Sequence, residues 1–283
     1  MTISIITLLI IGYLMLGAVL FFMQPSFLFR PTKAEPYTPA DIGLPFEKVI
    51  LRTPDHLILN AWYIPAKNAK FTFLFCHGNG GNISYTVDTL NIFNELGFNT
   101  FIFDYRGYGS SQGKPTEQGT YIDARTAYDW LIHDKSLRPD EIIIFGRSLG
   151  GSIAANLASE VKAKGLIIES CFTSYADIGT KFYPYMPVKL FARYKYNTAE
   201  YLKKVDCPVL IIHSRTDEIV PFEFGLRLYE SVAKEPKDFI EIFGRHNDGF
   251  LYSGQVYREG LSDWVRSLTK IQQQNSANIR IVS

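Results

Sequence analysis

The chain has 283 residues, 47% hydrophobic and 20% charged, a globular balance that excludes a disordered or collagen-like protein. Lysine and arginine total 29 against 28 aspartate and glutamate, so no positive excess exists to neutralise a phosphate backbone and nucleic acid is not an expected partner. Cys76, Cys171 and Cys207 form an odd set without a CxxC pair, which points to neither a disulfide framework nor a zinc site.

The first element is a membrane anchor over residues 1–30. No charged side chain precedes Arg30, and Ile3 to Met23 is an almost unbroken apolar run. As a helix it would measure roughly 32 Å, about one hydrocarbon thickness. A cleaved signal peptide would need basic residues before a shorter apolar stretch and a small-x-small cleavage site, and these are missing, so a retained single-pass span is expected. Phe27, Phe29, Arg30 and Lys33 mark the interface, and basic residues on that side alone place the following domain on the cytoplasmic face.

Residues 31–45 are proline-rich and read as a linker. From 46 to 270, apolar runs suited to strands alternate with amphipathic stretches. The expected strands are Phe46–Leu51, Leu57–Ile64, Phe71–Cys76, Asn99–Asp104, Glu141–Phe145, Gly165–Glu169, Pro208–His213 and Asp238–Phe243. The first two flank the turn Thr53-Pro54-Asp55-His56 and form a hairpin, while solid apolar runs such as Ile142–Phe145 suit parallel strands buried on both faces. Helices are expected at Ile83–Leu96, Thr120–His133, Leu149–Glu160, Phe222–Val232 and Gln255–Leu268. Such alternation implies an α/β domain with right-handed crossovers and helices on both faces of the sheet. Residues 171–201 break the rhythm with a dense run of Phe and Tyr side chains and read as a small aromatic-rich cap; residues 271–283 form a polar C-terminal tail.

Sites in α/β sheets lie at the carboxyl ends of strands. Gly146-Arg147-Ser148-Leu149-Gly150 follows an expected strand directly and opens an expected helix, which is the setting of a strained serine nucleophile with small neighbours. The five-residue pattern is weak alone, and Gly109-Ser110-Ser111-Gln112-Gly113 matches it too. Ser111, however, lies in a glycine-rich loop before Lys114-Pro115, with no strand entering and no helix leaving, so Ser148 is preferred; its plainer reading is a helix-capping serine. A serine needs a base, and the base an orienting carboxylate. His56 and His133 fall at turn and helix-end positions expected to be exposed, and His77 and His213 at strand ends. His246 lies in a polar loop after the last strand, and Asp217 follows the seventh, giving the chain order Ser148, Asp217, His246 that this architecture requires. Asp206 falls at the wrong strand end; Glu218 and Asp248 remain minor rivals. The oxyanion donors expected are the backbone amides of Leu149 and Asn79, the latter in the loop His77-Gly78-Asn79-Gly80-Gly81-Asn82.

With these motifs, together with Asp104-Tyr105-Arg106-Gly107-Tyr108-Gly109, the chain resembles the α/β-hydrolase superfamily from about Phe46 to Leu268. It is most similar to the membrane-anchored bud-emergence-type branch, which itself resembles depalmitoylase-like hydrolase-domain proteins. The resemblance implies an eight-stranded, mostly parallel sheet with its second strand antiparallel, a Ser-His-Asp triad, and neither cofactor nor metal. It also implies that the Asp104–Gly109 loop shapes the floor of the site; Arg106 is read as a structural ion-pair partner. The family's usual His-Gly before the acid is here His213-Ser214. The expected activity is hydrolysis of carboxylic esters or thioesters of a small or lipid-like acyl substrate by a bilayer-anchored serine hydrolase. The alternatives are a serine peptidase or amidase and an inactive interaction module.

Overall fold

The computed structural model describes residues 4–281, with side-chain surroundings through Thr269. Helix α1 (Ile5–Leu28) begins at Ser4, whose hydroxyl accepts the Thr7 amide at 3.2 Å, and ends where Phe29 turns extended. It is long and apolar enough to cross a membrane.

Eight strands form one sheet: β1 (Glu47–Arg52), β2 (Ile58–Ile64), β3 (Thr72–Cys76), β4 (Asn99–Phe103), β5 (Ile142–Arg147), β6 (Gly165–Glu169), β7 (Val209–Ser214) and β8 (Lys237–Ile242). Their order is β1-β2-β4-β3-β5-β6-β7-β8, with β2 antiparallel to both neighbours and every other pairing parallel. The expected strands agree with these to within two residues at their ends, and Gly165–Glu169 coincides.

The solid apolar runs split by alternation. In β5, Ile142 and Ile144 enter one core, and Ile143 and Phe145 the other. On the first face lie α3 (Glu117–His133), α4 (Leu149–Ala158) and α8 (Phe222–Ser231), contributing Leu131, Ile153 and Leu228. The second face carries α2 (Val87–Glu95) and α10 (Gly254–Ile281), with Phe93 and Trp264. Two opposed apolar layers remove each side chain of a central strand from water, which stabilises by about 1.5–3 kcal/mol per large residue. Helix α10 runs well past the expected end at Leu268, carrying the polar tail to Ile281.

The cap contains α5 (Tyr175–Phe182), α6 (Val188–Phe191) and α7 (Thr198–Leu202). The final short helix α9 (Gly249–Tyr252) follows β8. Residues 31–45, expected as a linker, are instead strapped to the domain. Arg30 and Pro31 pair in parallel register with Gly80 and Gly81, and Asn82 donates its side-chain amide to the carbonyls of Thr32 and Ala34. Proline-restricted extended backbone still offers carbonyls and the intervening amides, and the glycine loop after β3 is exposed to receive them.

Arg106 is a structural ion-pair partner. Its guanidinium contacts Asp123 at 2.8 Å and Asp55 at 2.7 Å, tying the β4–α3 loop to α3 and to the β1–β2 turn. Asp123 is fully buried and the Arg106 side chain nearly so. Asp123→Ala, leaving a buried cation unpaired, is expected to cost roughly 3–5 kcal/mol. Asp55→Ala, at an exposed carboxylate, should cost about 1 kcal/mol or less. Denaturant titration of both variants checks the contrast.

Candidate active site

Ser148 sits between β5 and α4 with φ 55° and ψ −122°, a conformation that costs a non-glycine residue of order 1–3 kcal/mol. Packing holds it there. A Cβ on Gly150 would lie 2.0 Å from the Cys76 carbonyl oxygen, and one on Gly146 would lie 2.3 Å from the Gly150 oxygen. Glycine at both positions lets α4 press against the end of β3, and the Ser148 amide donates to the Glu169 carbonyl at 2.8 Å from the next strand. The hydroxyl is thereby lifted above the sheet edge.

His246 brings its Nε2 to 3.0 Å from Ser148 Oγ, and its Nδ1 to 2.8 Å from Asp217 Oδ2. The other Asp217 oxygen accepts the amides of Ile219 (2.9 Å) and Val220 (2.7 Å). Burial alone would raise this carboxyl, but the hydrogen bond and charge of His246 and those two amides outweigh it and hold Asp217 below its ordinary value. The carboxylate is therefore ionised and fixed in direction at neutral pH. The sequence-selected residues Ser148, Asp217 and His246, 98 and 29 positions apart in their two contacts, are brought together in series.

The rivals have other roles. Ser111 is buried, donates to the Asp104 carbonyl at 3.0 Å and accepts the Asn60 amide at 2.9 Å. Glu218 accepts the His246 amide at 3.0 Å, and Asp248 accepts that of Arg245 at 2.7 Å, so both shape the His246 loop. Asp206 precedes β7 at the opposite edge and pairs with Lys234. His56 and His133 are exposed. His213 lies behind Asp217, its Nε2 donating to the Val220 carbonyl at 2.8 Å, and burial holds it neutral. Ser214, where the family pattern has glycine, ties β7 to the Gly244 carbonyl at the base of the His246 loop.

The loop after β3 lies against the nucleophile: a Cβ on Gly78 would be 3.7 Å from Ser148 Cβ. The Leu149 amide opens the first turn of α4, where intrahelical acceptors are lacking. The Asn79 carbonyl accepts from the Arg30 amide (3.0 Å) and the Tyr108 hydroxyl (2.9 Å), and the Tyr105 hydroxyl donates to the His77 carbonyl at 2.9 Å. The family resemblance implied a floor-shaping role for the Asp104–Gly109 loop but not these two phenols, although the tyrosines flanking Arg106-Gly107 stand in the sequence. His77 Nδ1 donates to the Gly78 carbonyl at 2.8 Å. A trans peptide points its N–H opposite to its C=O, so this bond turns the Asn79 amide away from the ring. Among the described residues no group of three or more His, Cys, Asp or Glu side chains is placed to hold a metal ion.

The comparisons with known proteins agree with this architecture. A family model described as the alpha/beta hydrolase fold matches residues 72–173. An Arabidopsis thaliana protein named alpha/beta hydrolase domain-containing protein WAV2 is 32% identical over 248 residues, covering 80% of each chain. This chain belongs to the α/β-hydrolase superfamily. A Saccharomyces cerevisiae protein named as an uncharacterized membrane protein is 34% identical to this hydrolase over 224 residues, 77% of one chain and 79% of the other. The hydrolase also superposes on a Pyrococcus furiosus esterase with TM-score 0.69 at 21% identity, covering 86% of this chain and 97% of the esterase.

Beneath the loop, His77 Nε2 faces Asp104 Oδ1 at 3.7 Å, both side chains buried. Burial pulls His77 down to about 4, and pushes Asp104 up to about 7 against the Ile83 amide that it accepts. Between those values both groups are neutral in the folded chain. In the unfolded chain, with ordinary values of 6.5 and 3.8, both are charged there. Each state holds one proton on the pair, so the pair gives stability no slope across most of that window. Asp104→Asn leaves His77 alone, with its folded value below its unfolded one, so protonation opposes folding. The denaturation midpoint of the variant relative to the parent should climb as pH rises from about 4 to about 6.5. Parallel curves for the two proteins would contradict the neutral assignment.

Proposed function

We propose that this protein is a membrane-anchored serine hydrolase that cleaves carboxylic esters or thioesters of an apolar acyl group. The observation that carries the reading is the unbroken contact series Asp217, His246, Ser148 at 2.8 and 3.0 Å. Ser148 Oγ attacks the acyl carbonyl carbon while His246 Nε2 takes its proton, and the amides of Leu149 and Asn79 receive the developing oxyanion. The tetrahedral intermediate collapses to an acyl-enzyme, with the proton passing from His246 to the departing alcohol or thiol. Water, deprotonated by the same imidazole, then frees the acid and restores Ser148. Asp217 keeps the His246 Nδ1 proton in place and stabilises the imidazolium.

The apolar acyl preference is supported by the aromatic cap that follows β6 and by the apolar helix beside it. The anchor is supported by α1 and by the yeast relative's being named a membrane protein. Arg30 and Lys33 at the domain end of α1 favour a cytoplasmic domain.

A fluorophosphonate probe should label the parent protein. Ser148→Ala should abolish labelling and lower kcat on p-nitrophenyl esters by roughly 10⁴-fold or more. Ser111→Ala should keep the label. Persistent labelling of Ser148→Ala would overturn the assignment, and turnover of aminoacyl arylamides without turnover of esters would move it to the amidases.

A further inference from the structure

Helix α1 does not leave the domain as a free stalk. Gly17, Leu20, Phe21, Gln24, Pro25, Phe27 and Leu28 are its partly or fully buried positions, recurring at three- and four-residue spacing along one stripe. That stripe faces the cap. Gln24 donates Nε2 to the Phe191 carbonyl at 2.9 Å and accepts the Arg193 amide at 2.8 Å. Further toward the N-terminus, the Tyr13 hydroxyl donates to the Tyr185 carbonyl at 3.0 Å, and a Cβ on Gly17 would lie 3.4 Å from Met186 Cε.

These contacts fix a depth. Tyr13 lies fifteen residues before Leu28, so the cap follows α1 for roughly 22 Å from its domain end. A helix of 24 residues, about 36 Å long, matches a hydrocarbon layer of about 30 Å. If α1 crosses that layer, the Tyr185 segment is carried near its midplane. Lifting Tyr13–Leu28 clear would leave Ile5–Gly12, roughly 12 Å of helix, less than half the thickness.

The chemistry of the cap decides between the two placements. Phe182, Tyr185, Leu190 and Phe191 are 54%, 90%, 77% and 51% exposed, a large apolar surface at one tip. A shallow cleft between cap and helix, partly open to the exterior, is lined by Leu20, Phe21, Phe27, Tyr183, Val188 and Phe191 among others. The polar side chains Tyr13 and Gln24 of this predominantly apolar helix are spent on cap carbonyls, as irregular backbone requires where water is absent. Two basic residues of the cap have carboxylate partners: Lys181 pairs with Glu223 of α8, and Lys189, the one cation within Phe182–Phe191, pairs with Asp177, at 3.4 Å each, its stem long enough to carry the ammonium away from the tip.

We propose that the tip of the cap, Phe182–Phe191, is immersed in bilayer hydrocarbon alongside α1. The proposal rests on the reading of α1 as a membrane span. It makes the hydrolase domain a partly submerged body whose apolar cleft opens to lipid.

The test uses the full chain with Cys207→Ser, reconstituted in phosphatidylcholine vesicles and labelled with an environment-sensitive fluorophore at one introduced cysteine. Leu9→Cys reports on α1, Tyr185→Cys and Leu190→Cys on the cap, and Lys67→Cys, exposed at the opposite end of the sheet, on the aqueous domain. Nitroxides placed midway along the lipid acyl chains should cut fluorescence at Leu9, Tyr185 and Leu190 to about half or less and leave Lys67 unchanged. Quenching at Leu9 without quenching at Tyr185 and Leu190 would overturn the proposal and leave the anchor standing. No quenching at Leu9 would overturn both. Fluorophosphonate labelling of the same variants at Ser148 keeps the catalytic reading separate from either result.

Discussion

The site depends on one close approach of two stretches of main chain. The carbonyls of Cys76 and His77 occupy the space where a Gly150 side chain would begin, so α4 meets the end of β3 backbone to backbone. That contact holds the strained turn at Ser148, and the loop after β3 lies against it, where a Cβ on Gly78 would be 3.7 Å from Ser148 Cβ. The strain is offset by burial on both faces of the sheet around it, where Ile144, Ile153 and Phe145 are wholly inaccessible.

Charge is rationed around this contact. Asp217 is the ionised group behind His246, and its oxygens are committed to the imidazole and to two amides. The buried imidazoles of His77 and His213 and the Asp104 carboxyl are driven toward their neutral forms. The nearby buried pair Arg147–Glu169 is closed on itself at 2.6 Å, which leaves Asp217 as the carboxylate directed at the imidazole.

Much of this was legible in the sequence because it is written in side chains. Solid runs such as Ile142–Phe145 report burial on two faces, glycines at 146 and 150 report the tight turn, and a polar loop at 244–248 after an edge strand sets His246 apart from the other histidines. The expected alternation of strands and helices therefore matched the sheet closely, and Ser111 was separable from Ser148 by context alone. What stayed hidden is carried by backbone groups and by distant pairs. The strap at 30–35 bonds through amides and carbonyls, which leave no residue signature, and its prolines read as a spacer. The phenols of Tyr105 and Tyr108 find carbonyls 28 and 29 residues away, and Tyr13 finds one 172 residues away. No local pattern encodes separations of that kind.

The strap has a practical consequence for anyone preparing a water-soluble fragment. Starting the chain at Phe46, where the strand pattern begins, would remove the Arg30 amide from the Asn79 carbonyl and the Thr32 and Ala34 carbonyls from Asn82. Such a fragment would lose part of the scaffold that holds the loop beside Ser148. Its inactivity would then report a missing brace, not a requirement for lipid. A start just before Leu28 keeps the brace, together with the buried Leu28 and Phe29 that seat it, and discards nearly all of the apolar helix.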